Sequence, residues 1–263
     1  MNALILALPV LAALCAAFAL LFALARRIDN YGIVDIGWSY AFGAAALAFE
    51  ALGPGWIVRR VLIGSMVVLW SARLGTHLLI RIAAHHPRED GRYRQLRHDW
   101  QSEFKFKMAG FFQLQAASVV LLSVPFMAPA FNAAPALGPL EWAGAALWLL
   151  AIAGEALSDA QLAAFKGDPS TAGKVCDRGL WRLSRHPNYF FEWLIWVAYF
   201  VFACGSPWGW LGILSPAIIL TLLLRVTGIP ITEEQLLRSK GEAYRAYQRT
   251  TSVFVPWIPR RSP

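Results

Sequence analysis

The stretch "GLWRLSRHPNYFFEWLIW", residues 179–196, has the residue types of a polar site at the mouth of an apolar helix. Arg185 and His186 precede a proline, which suits the first position of a helix. The free backbone N–H groups of a helix N-terminus beside two basic side chains form an anion site. Asn188 and Glu192 are one turn apart, so they face one way and can hydrogen-bond an amide or hydroxyl deeper in. A nucleotide cofactor requires both features, an anion site for its phosphate and hydrogen-bonding groups for its polar head. A lipid phosphate, an adenosine-type methyl donor or ordinary positive flanking of a membrane span fits the same pattern.

Further polar residues stand inside apolar segments, where charged groups are costly and by default mark function. They are Asp35, Glu50, Arg73, His77, Gln113, Gln115, Glu155, Asp159, Asn188, Glu192 and Arg225. Internal salt bridges, such as Glu155 or Asp159 with Arg225, are one explanation, and Glu50 also suits an interfacial position. The whole set favours a polar cavity that opens to the cytoplasm and takes an anionic ligand.

The elements that position these residues are predicted to be membrane-spanning helices. The chain is 57% hydrophobic and only 15% charged, whereas soluble domains carry about 25% charged residues. No polar stretch is long enough to form a soluble domain. We therefore predict an all-α polytopic protein with one integral membrane domain over residues 1–263. About 20 apolar residues span a bilayer, and seven segments fit or nearly fit: 5–25, 33–52, 57–80, 109–127, 139–161, 189–204 and 207–226.

The distribution of basic residues predicts the orientation. Of 24 Lys and Arg residues, only Arg59 and Arg60 fall in outside loops if the N-terminus is outside and the C-terminus cytoplasmic, with Arg73 and Arg225 inside spans. This is a strong positive-inside bias, and it explains the net charge of +8 without a nucleic-acid partner. We expect the inner membrane of a bacterium.

The tail, residues 231–263, is predicted to be a cytoplasmic amphipathic helix. Thr232 and Gln235 have the spacing of a capping box, which places Glu233 in the positive first turn. Tyr244 and Tyr247 share a face. The chain then becomes apolar enough to lie against the membrane surface.

Other cofactor and metal sites are not indicated. Cys15, Cys176 and Cys204 are far apart, and the histidines His85 and His86 lie in a loop, so we predict no metal site. No glycine-rich loop follows a strand, which excludes a Rossmann nicotinamide site.

The segments "EALSDAQLAAFK", "GLWRLSRHPNYFFEW" and "EAYRAYQRTTSVFVPWIP" resemble the C-terminal half of the steroid 5α-reductase superfamily. The segments "VDIGWSYAF", "LWSARLGTHL" and "REDGRYRQLR" resemble its bacterial branch of membrane proteins with a domain of unknown function. The resemblance implies a seven-helix oxidoreductase that binds NADPH inside the bundle. It would reduce an activated C=C bond of a lipophilic, steroid-like or other enone substrate.

The resemblance also implies which residues contact the cofactor. Glu155 stands where characterised reductases have an asparagine, and Lys166 and Lys174 where they have arginines; lysines meet phosphate as point charges without a bidentate fork. With Arg185 and His186 of the anion site, the cofactor-binding set is Arg73, Glu155, Asp159, Lys166, Lys174, Arg185, His186, Asn188, Glu192, Arg225 and Tyr247.

The catalytic end departs from the family pattern. Characterised steroid reductases polarise the carbonyl with a Gln-Glu pair in the second helix and a tyrosine in the third, where this chain has Trp70. We predict Asp35 as the proton donor, because desolvation raises a carboxyl pKa, although a salt bridge to Arg73 would give it a structural role. Tyr31, on a loop that could close over the cavity, is the alternative donor, and Glu50 is the other second-helix acid.

A second hypothesis comes from isoprenylcysteine carboxyl methyltransferases, which share the Arg-His-Pro-x-Tyr stretch and a Glu-Glu then Tyr-x-x-Tyr tail. They bind S-adenosylmethionine, which has no phosphate and does not need Lys166, Lys174 and Arg178 at the site. We therefore favour the reductase. A third possibility is a non-enzymatic lipid-binding or scaffold protein. The polar residues inside the apolar segments argue against it. The expected partners are a lipophilic small molecule and membrane lipid, with no nucleic acid.

Overall fold

The structure, a computed structural model, describes the backbone of residues 3–260 and the side chains of residues 5–260. Within this range the chain forms α-helices and short 3-10 or π turns, with no strand. It divides into two compact units. The first contains Met1–Glu141 and Phe202–Gly212, and the second contains Trp142–Val201 and Ile213–Pro263.

The first unit is centred on its second helix. The helices are α1 (Ala3–Ile28), α2 (Ile33–Leu52), α3 (Ile57–His85), α4 (Gly91–Trp100), α5 (Phe104–Leu122) and α6 (Val124–Met127). α2 packs against α1, α3 and α5. It approaches α3 closely at Gly43, whose N–H donates to the hydroxyl of Ser71 at 3.0 Å, and that hydroxyl donates to the Ser39 carbonyl at 2.6 Å. A side chain at Gly43 would collide with Ser71, so this glycine permits the approach.

The second unit brings two helices together and folds the tail beside them. Its helices are α7 (Pro139–Gly167), α8 (Leu180–Leu183), α9 (Pro187–Ala203), α10 (Leu214–Thr221), α11 (Ile229–Lys240) and α12 (Glu242–Thr250). α10 continues into a π-helical turn, residues 222–226. α7 meets α9 at Gly154, where a Cβ would overlap the Phe191 ring, and the Trp148 indole donates to the Tyr199 hydroxyl at 3.1 Å.

The all-α polytopic membrane architecture is confirmed. Helices cover all seven predicted segments, and five regions are long and apolar enough to cross a membrane. These are Ile5–Ile28, Ile57–His85, Gly91–Met127, Pro139–Gly167 and Gly209–Lys240. The other two segments form α2, which contains two acidic residues, and α9, which is 17 residues long. Seven spans therefore stay a prediction, and so does the orientation.

Two helical boundaries differ from the prediction. α4 lies where a cytoplasmic loop was predicted. The helix was not predicted because its sequence is mostly polar and gives no hydrophobic periodicity. Its N-cap is Asp90, which accepts from the Arg92 N–H at 2.9 Å. The fourth predicted segment, 109–127, begins earlier, at Phe104, and breaks at Ser123, two residues before Pro125.

The tail is two helices rather than one. Gly241 has φ +55°, a left-handed conformation that ends α11 and starts α12. α11 begins at Ile229, so Thr232 lies one turn inside the helix and donates to the Gly228 carbonyl at 2.9 Å. The predicted capping box is therefore wrong. Arg261, counted in the cytoplasmic tail, lies outside the described residues.

Arg59 is buried instead of lying in an outside loop. It sits in the first turn of α3 and its side chain is 1% exposed. Its guanidinium pairs with Glu141 and donates to the carbonyls of Asn132 and Ala134, each at 2.8 Å, and to the carbonyl of Ala136. The loop before α7 therefore surrounds the Arg59 guanidinium, which was predicted to lie in a water-exposed outside loop.

Candidate functional site

The Arg-His-Pro stretch of the second unit converges on the carboxylate of Glu233. The Arg185 guanidinium donates twice to Glu233, at 2.7 and 3.2 Å, and His186 Nε2 lies 3.1 Å from the same carboxylate. Tyr244 donates its hydroxyl at 3.0 Å, and Gln248 donates its amide at 2.5 Å. The side chains of Arg185 and Glu233 are only 11% and 15% exposed.

The remaining donors of Arg185 tie the same stretch to the end of α12. Its guanidinium donates to the carbonyls of Gln248 and Thr251, and its backbone N–H donates to the Ser252 carbonyl at 2.8 Å. The hydroxyl of Ser184 donates to the Phe254 carbonyl at 2.8 Å. The entry to α9 is therefore clamped by the tail on both its side chains and its backbone.

These contacts give Arg185 and His186 a partner that the sequence did not predict. The anion beside them is the protein's own Glu233, and their contact with a cofactor phosphate stays a prediction. The charge of Arg185 is matched by Glu233, and His186 is buried against the same carboxylate, so both side chains are directed into the protein. We name this cluster of Arg185, His186, Glu233, Tyr244 and Gln248 the tail clamp.

Tyr247 is also structural rather than a ligand contact. It is buried, and its hydroxyl donates to the carbonyls of Trp181 and Ser184. Burial raises the pKa of Tyr247, as it does that of Tyr244, where the adjacent Glu233 carboxylate raises it further. Both phenols therefore stay protonated donors. The prediction that the two tyrosines share a face is confirmed, with ring centroids 5.8 Å apart.

The first two turns of α9 carry the other polar residues of the predicted site. Asn188, Tyr189 and Glu192 are partly exposed, in contrast to the buried His186. Glu192 accepts a hydrogen bond from the Trp196 indole at 3.0 Å, one turn further along the helix. Tyr189 stacks on His186 and shares a hydrogen bond with Thr232 at 3.2 Å. The tail clamp thus fixes the helix face from which Asn188 and Glu192 project.

α7 carries the acidic residues of the predicted site on its second half. Glu155 is buried and Asp159 is partly exposed. Between them, the Ser158 carbonyl accepts from the Trp181 indole at 2.9 Å, which joins α7 to α8. The predicted salt bridges from Glu155 or Asp159 to Arg225 do not occur in the described residues, and Arg225 is exposed in the π turn.

Three basic residues follow α7 in the segment that leads to α8. Lys166, Lys174 and Arg178 are exposed, and none forms an ion pair within residues 3–260. Arg178 lines a cavity of about 280 Å³ together with Phe165, and its guanidinium lies 5.9 Å from that ring centroid.

Other groups around this cavity limit its chemistry. Asp168 lines it too, and hydrogen bonds from Ser170 lower the pKa of this carboxyl, so an anion is present. Cys176 lies deeper, and burial raises the pKa of its thiol. The segment therefore offers a mixed but cation-rich surface.

In the first unit, Asp35 forms an ion pair instead of standing as a free acid. Arg92 donates to it at 2.7 Å, and the Tyr93 hydroxyl donates at 2.8 Å. Asp35 therefore forms the salt bridge that the sequence analysis gave as its structural role. Its partner is Arg92 of α4, not the predicted Arg73 of α3. Asp90 supports the same guanidinium at 3.3 Å.

Tyr31 is held in a packed position. It is buried, its ring meets Phe104 edge-on at 4.9 Å, and its N–H donates to Glu89 at 2.7 Å. Glu89 in turn accepts from Arg97 at 3.3 Å. Burial raises the pKa of Tyr31. These contacts are inconsistent with the predicted open loop that closes over a cavity.

Glu50 is buried rather than interfacial. Neither of its carboxylate oxygens has a hydrogen-bond partner in the described part of the chain. Its side chain lies over Gly64, where an added Cβ would be 2.9 Å from Glu50 Cγ. Glu50 therefore remains an acid without an evident structural role.

Sequence reasoning missed several partners that the structure supplies. Glu233 was assigned to a helix terminus, and Arg92 and Tyr93 were counted in a basic loop. For Arg92 and Tyr93 the available signal was their position in a segment quoted for the family resemblance. "VDIGWSYAF" contains Asp35 and "REDGRYRQLR" contains Arg92, so two quoted motifs meet at one ion pair.

Comparison with known proteins identifies a family without an assigned chemistry. The family described as "Protein of unknown function (DUF1295)" matches residues 21–251. An uncharacterized protein of Schizosaccharomyces pombe is 26% identical over 261 residues, which cover 86% of this chain and 73% of that protein. No solved structure matches the chain.

Proposed function

We propose that this chain, which belongs to the DUF1295 family, is a membrane-embedded reductase that uses NADPH to reduce an activated C=C bond in a lipophilic enone. The superfamily of the steroid 5α-reductases supplies the class of reaction by resemblance. One observation supports a phosphate-bearing cofactor in particular. Among the described residues, the basic residues Lys166, Lys174 and Arg178 are exposed and form no ion pair, while Arg185 is paired with Glu233 and His186 is buried beside the same carboxylate.

Two sets of residues in the second unit would bind the cofactor. Lys166, Lys174 and Arg178 would balance the phosphates, since a cation near an anionic oxygen forms a charge-assisted hydrogen bond. Asn188 and Glu192 would hydrogen-bond the amide and hydroxyl groups of the cofactor, because they project from the fixed face of α9. When bound, the cofactor supplies a hydride.

The chain must also stabilise the negative charge that hydride addition leaves on the substrate oxygen. Trp70 supplies at most an indole N–H at the position of the family's tyrosine. Asp35 is the proposed proton donor. To act as an acid, its carboxyl must first separate from Arg92 and Tyr93.

Ligand-induced thermal stabilisation of the purified chain in detergent tests this function. NADPH should raise the unfolding midpoint more than NADH, and S-adenosylmethionine should have no effect. The double variant Lys166→Gln/Lys174→Gln should lose most of the preference for NADPH, by about tenfold or more in affinity, since hydrogen bonds to charged groups contribute about 1.5–3 kcal/mol. Lys240→Gln, which removes a lysine from α11, is the matched control.

Stabilisation by S-adenosylmethionine alone would overturn the reductase in favour of a methyltransferase. If neither ligand stabilises the folded chain, both enzymatic hypotheses fail. A positive cofactor result should be followed by NADPH oxidation with a panel of cyclic enones, where transfer of deuterium from labelled cofactor to the product identifies the reaction.

A further inference from the structure

A groove on the first unit is lined by residues of α1 and α5. It has a volume of about 340 Å³ and is lined by Ala19, Phe22, Phe106, Ala109 and Gly110, with Lys107 at its edge. Both helices belong to regions long and apolar enough to cross a membrane. The volume lies within the range of about 300–1,000 Å³ typical of small-molecule sites.

Small residues make the groove and aromatic residues form its walls. An added Cβ at Gly110 would meet nothing within 4 Å, so the missing side chain leaves open space. Phe106, by contrast, projects from the helix and is 84% exposed. Gln113 also lines the groove and donates its amide to the Cys15 carbonyl at 3.3 Å, so most of the remaining lining is apolar and suits a hydrocarbon chain.

One end of the groove is basic. α1 has Arg26 and Arg27 in its last turn, and the antiparallel α5 has Lys105 and Lys107 in its first, so four cations gather at the same end. The Arg26 guanidinium lies 5.9 Å from the centroid of the Phe22 ring, which lines the groove.

The nearby acids only partly neutralise this end. Asp29 follows α1 and accepts from Arg97 at 3.0 Å, a guanidinium that it shares with Glu89, so one acid near this end is only partly matched. Glu103 pairs with Lys107 at 2.6 Å, in an exposed i,i+4 contact. Exposed pairs of this type contribute little, about 0.3–0.5 kcal/mol, so Lys107 can exchange Glu103 for a ligand. Among the described residues, Arg26, Arg27 and Lys105 form no ion pair.

We propose that this groove is a binding site for an anionic phospholipid, with one acyl chain along Gly110 and the headgroup phosphate against Arg26 and Lys107. The charge pattern argues for an anionic rather than a zwitterionic lipid, because each basic residue at a lipid surface attracts anionic headgroups. The site is independent of the proposed cofactor, which concerns the second unit.

The test measures lipid retention by native mass spectrometry of the delipidated full-length protein, with phosphatidylglycerol or phosphatidylcholine of identical acyl chains. Gly110→Leu fills the groove, and Ala117→Leu adds the same side chain to an exposed position of α5 that does not line it. We expect the wild-type chain to prefer phosphatidylglycerol. Gly110→Leu should weaken that binding by about tenfold, and Ala117→Leu should bind as the wild type does.

The charge is tested separately with Lys107→Gln. This variant should lose about fivefold in affinity for phosphatidylglycerol, which corresponds to about 1 kcal/mol per cation, and should bind phosphatidylcholine as before. Equal lipid binding by the Gly110 and Ala117 variants would overturn the site, and equal affinity of the wild type for the two lipids would overturn its selectivity. If Gly110→Leu instead converts a dimer to a monomer, the groove is filled by a second copy and the proposal is wrong.

Discussion

Substitution of Glu233 by glutamine should destabilise the protein, because the tail clamp depends on one carboxylate. The change keeps the shape of the side chain but removes its charge and turns one oxygen into a donor. Arg185 then loses a bidentate anionic partner at 2.7 and 3.2 Å. The contacts from His186, Tyr244 and Gln248 must also rearrange, since all three side chains lie within hydrogen-bonding distance of this carboxylate.

The size of the effect follows from burial. The two partners of the ion pair are 11% and 15% exposed, and breaking a buried pair by removing one partner costs about 3–5 kcal/mol. At about 2–4 °C per kcal/mol for a chain of roughly this size, the unfolding midpoint should fall by roughly 6–20 °C.

The neighbouring Glu234 provides the control. It is 61% exposed and pairs with Arg238 one turn away, so Glu234→Gln should change stability by less than about 1 kcal/mol. Thermal unfolding of the two variants in the same detergent compares them directly. If both unfold at the wild-type midpoint, the clamp does not stabilise the fold. If Glu233→Gln unfolds normally but binds NADPH more tightly, Arg185 is a phosphate ligand held in reserve.

Three other substitutions or reactions give separate tests. Glu50→Met, which replaces the unsatisfied carboxyl by an apolar side chain of similar length, should leave stability unchanged or raise it by about 1–3 kcal/mol, the cost of an unsatisfied buried polar group, and a marked loss would reveal a partner for this carboxylate. Asp35→Asn should lower stability by about 1.5–3 kcal/mol through the lost hydrogen bonds from Arg92; unchanged stability with abolished enone turnover and NADPH binding within threefold would instead establish Asp35 as the donor. Burial raises the pKa of the Cys176 thiol, so its thiolate fraction is smaller at a given pH. Its alkylation by maleimide should therefore be slow near neutrality and rise only at a higher pH than for a free thiol, while fast labelling near neutrality would contradict the buried position.

The helical segments could be predicted because long apolar runs have few alternatives in a bilayer. The segment 33–52 is helical over that same range, although its acidic residues keep it below the hydropathy of the five clear spans. α4 was not predicted because the helices were identified by long apolar runs. A polar helix that is held by ion pairs contains no such run. The break at Gly241 had a signal, since a glycine inside a predicted helix often marks its end.

The pairing of charges could not be predicted from spacing. Arg185 and Glu233 are 48 residues apart, and Asp35 and Arg92 are 57 apart. The sequence indicated that each group was costly in an apolar setting, but the fold decides whether its partner is a ligand or another side chain. For Arg185 and His186 the partner is internal, and this moves the proposed phosphate contacts to Lys166, Lys174 and Arg178.

The tail clamp also has a consequence for biosynthesis. A ribosome that adds about 5–20 residues per second needs roughly 2–10 s to extend the chain over the 48 residues from Arg185 to Glu233. During that interval Arg185 and His186 stand at the start of α9 without their anion, and the carbonyls of residues 248–252 that complete the cluster come later still. The second unit can therefore acquire these polar contacts only after residues 248–252 have been made. Until then its newly made helices depend on lipid, or on the insertion machinery, to shield them.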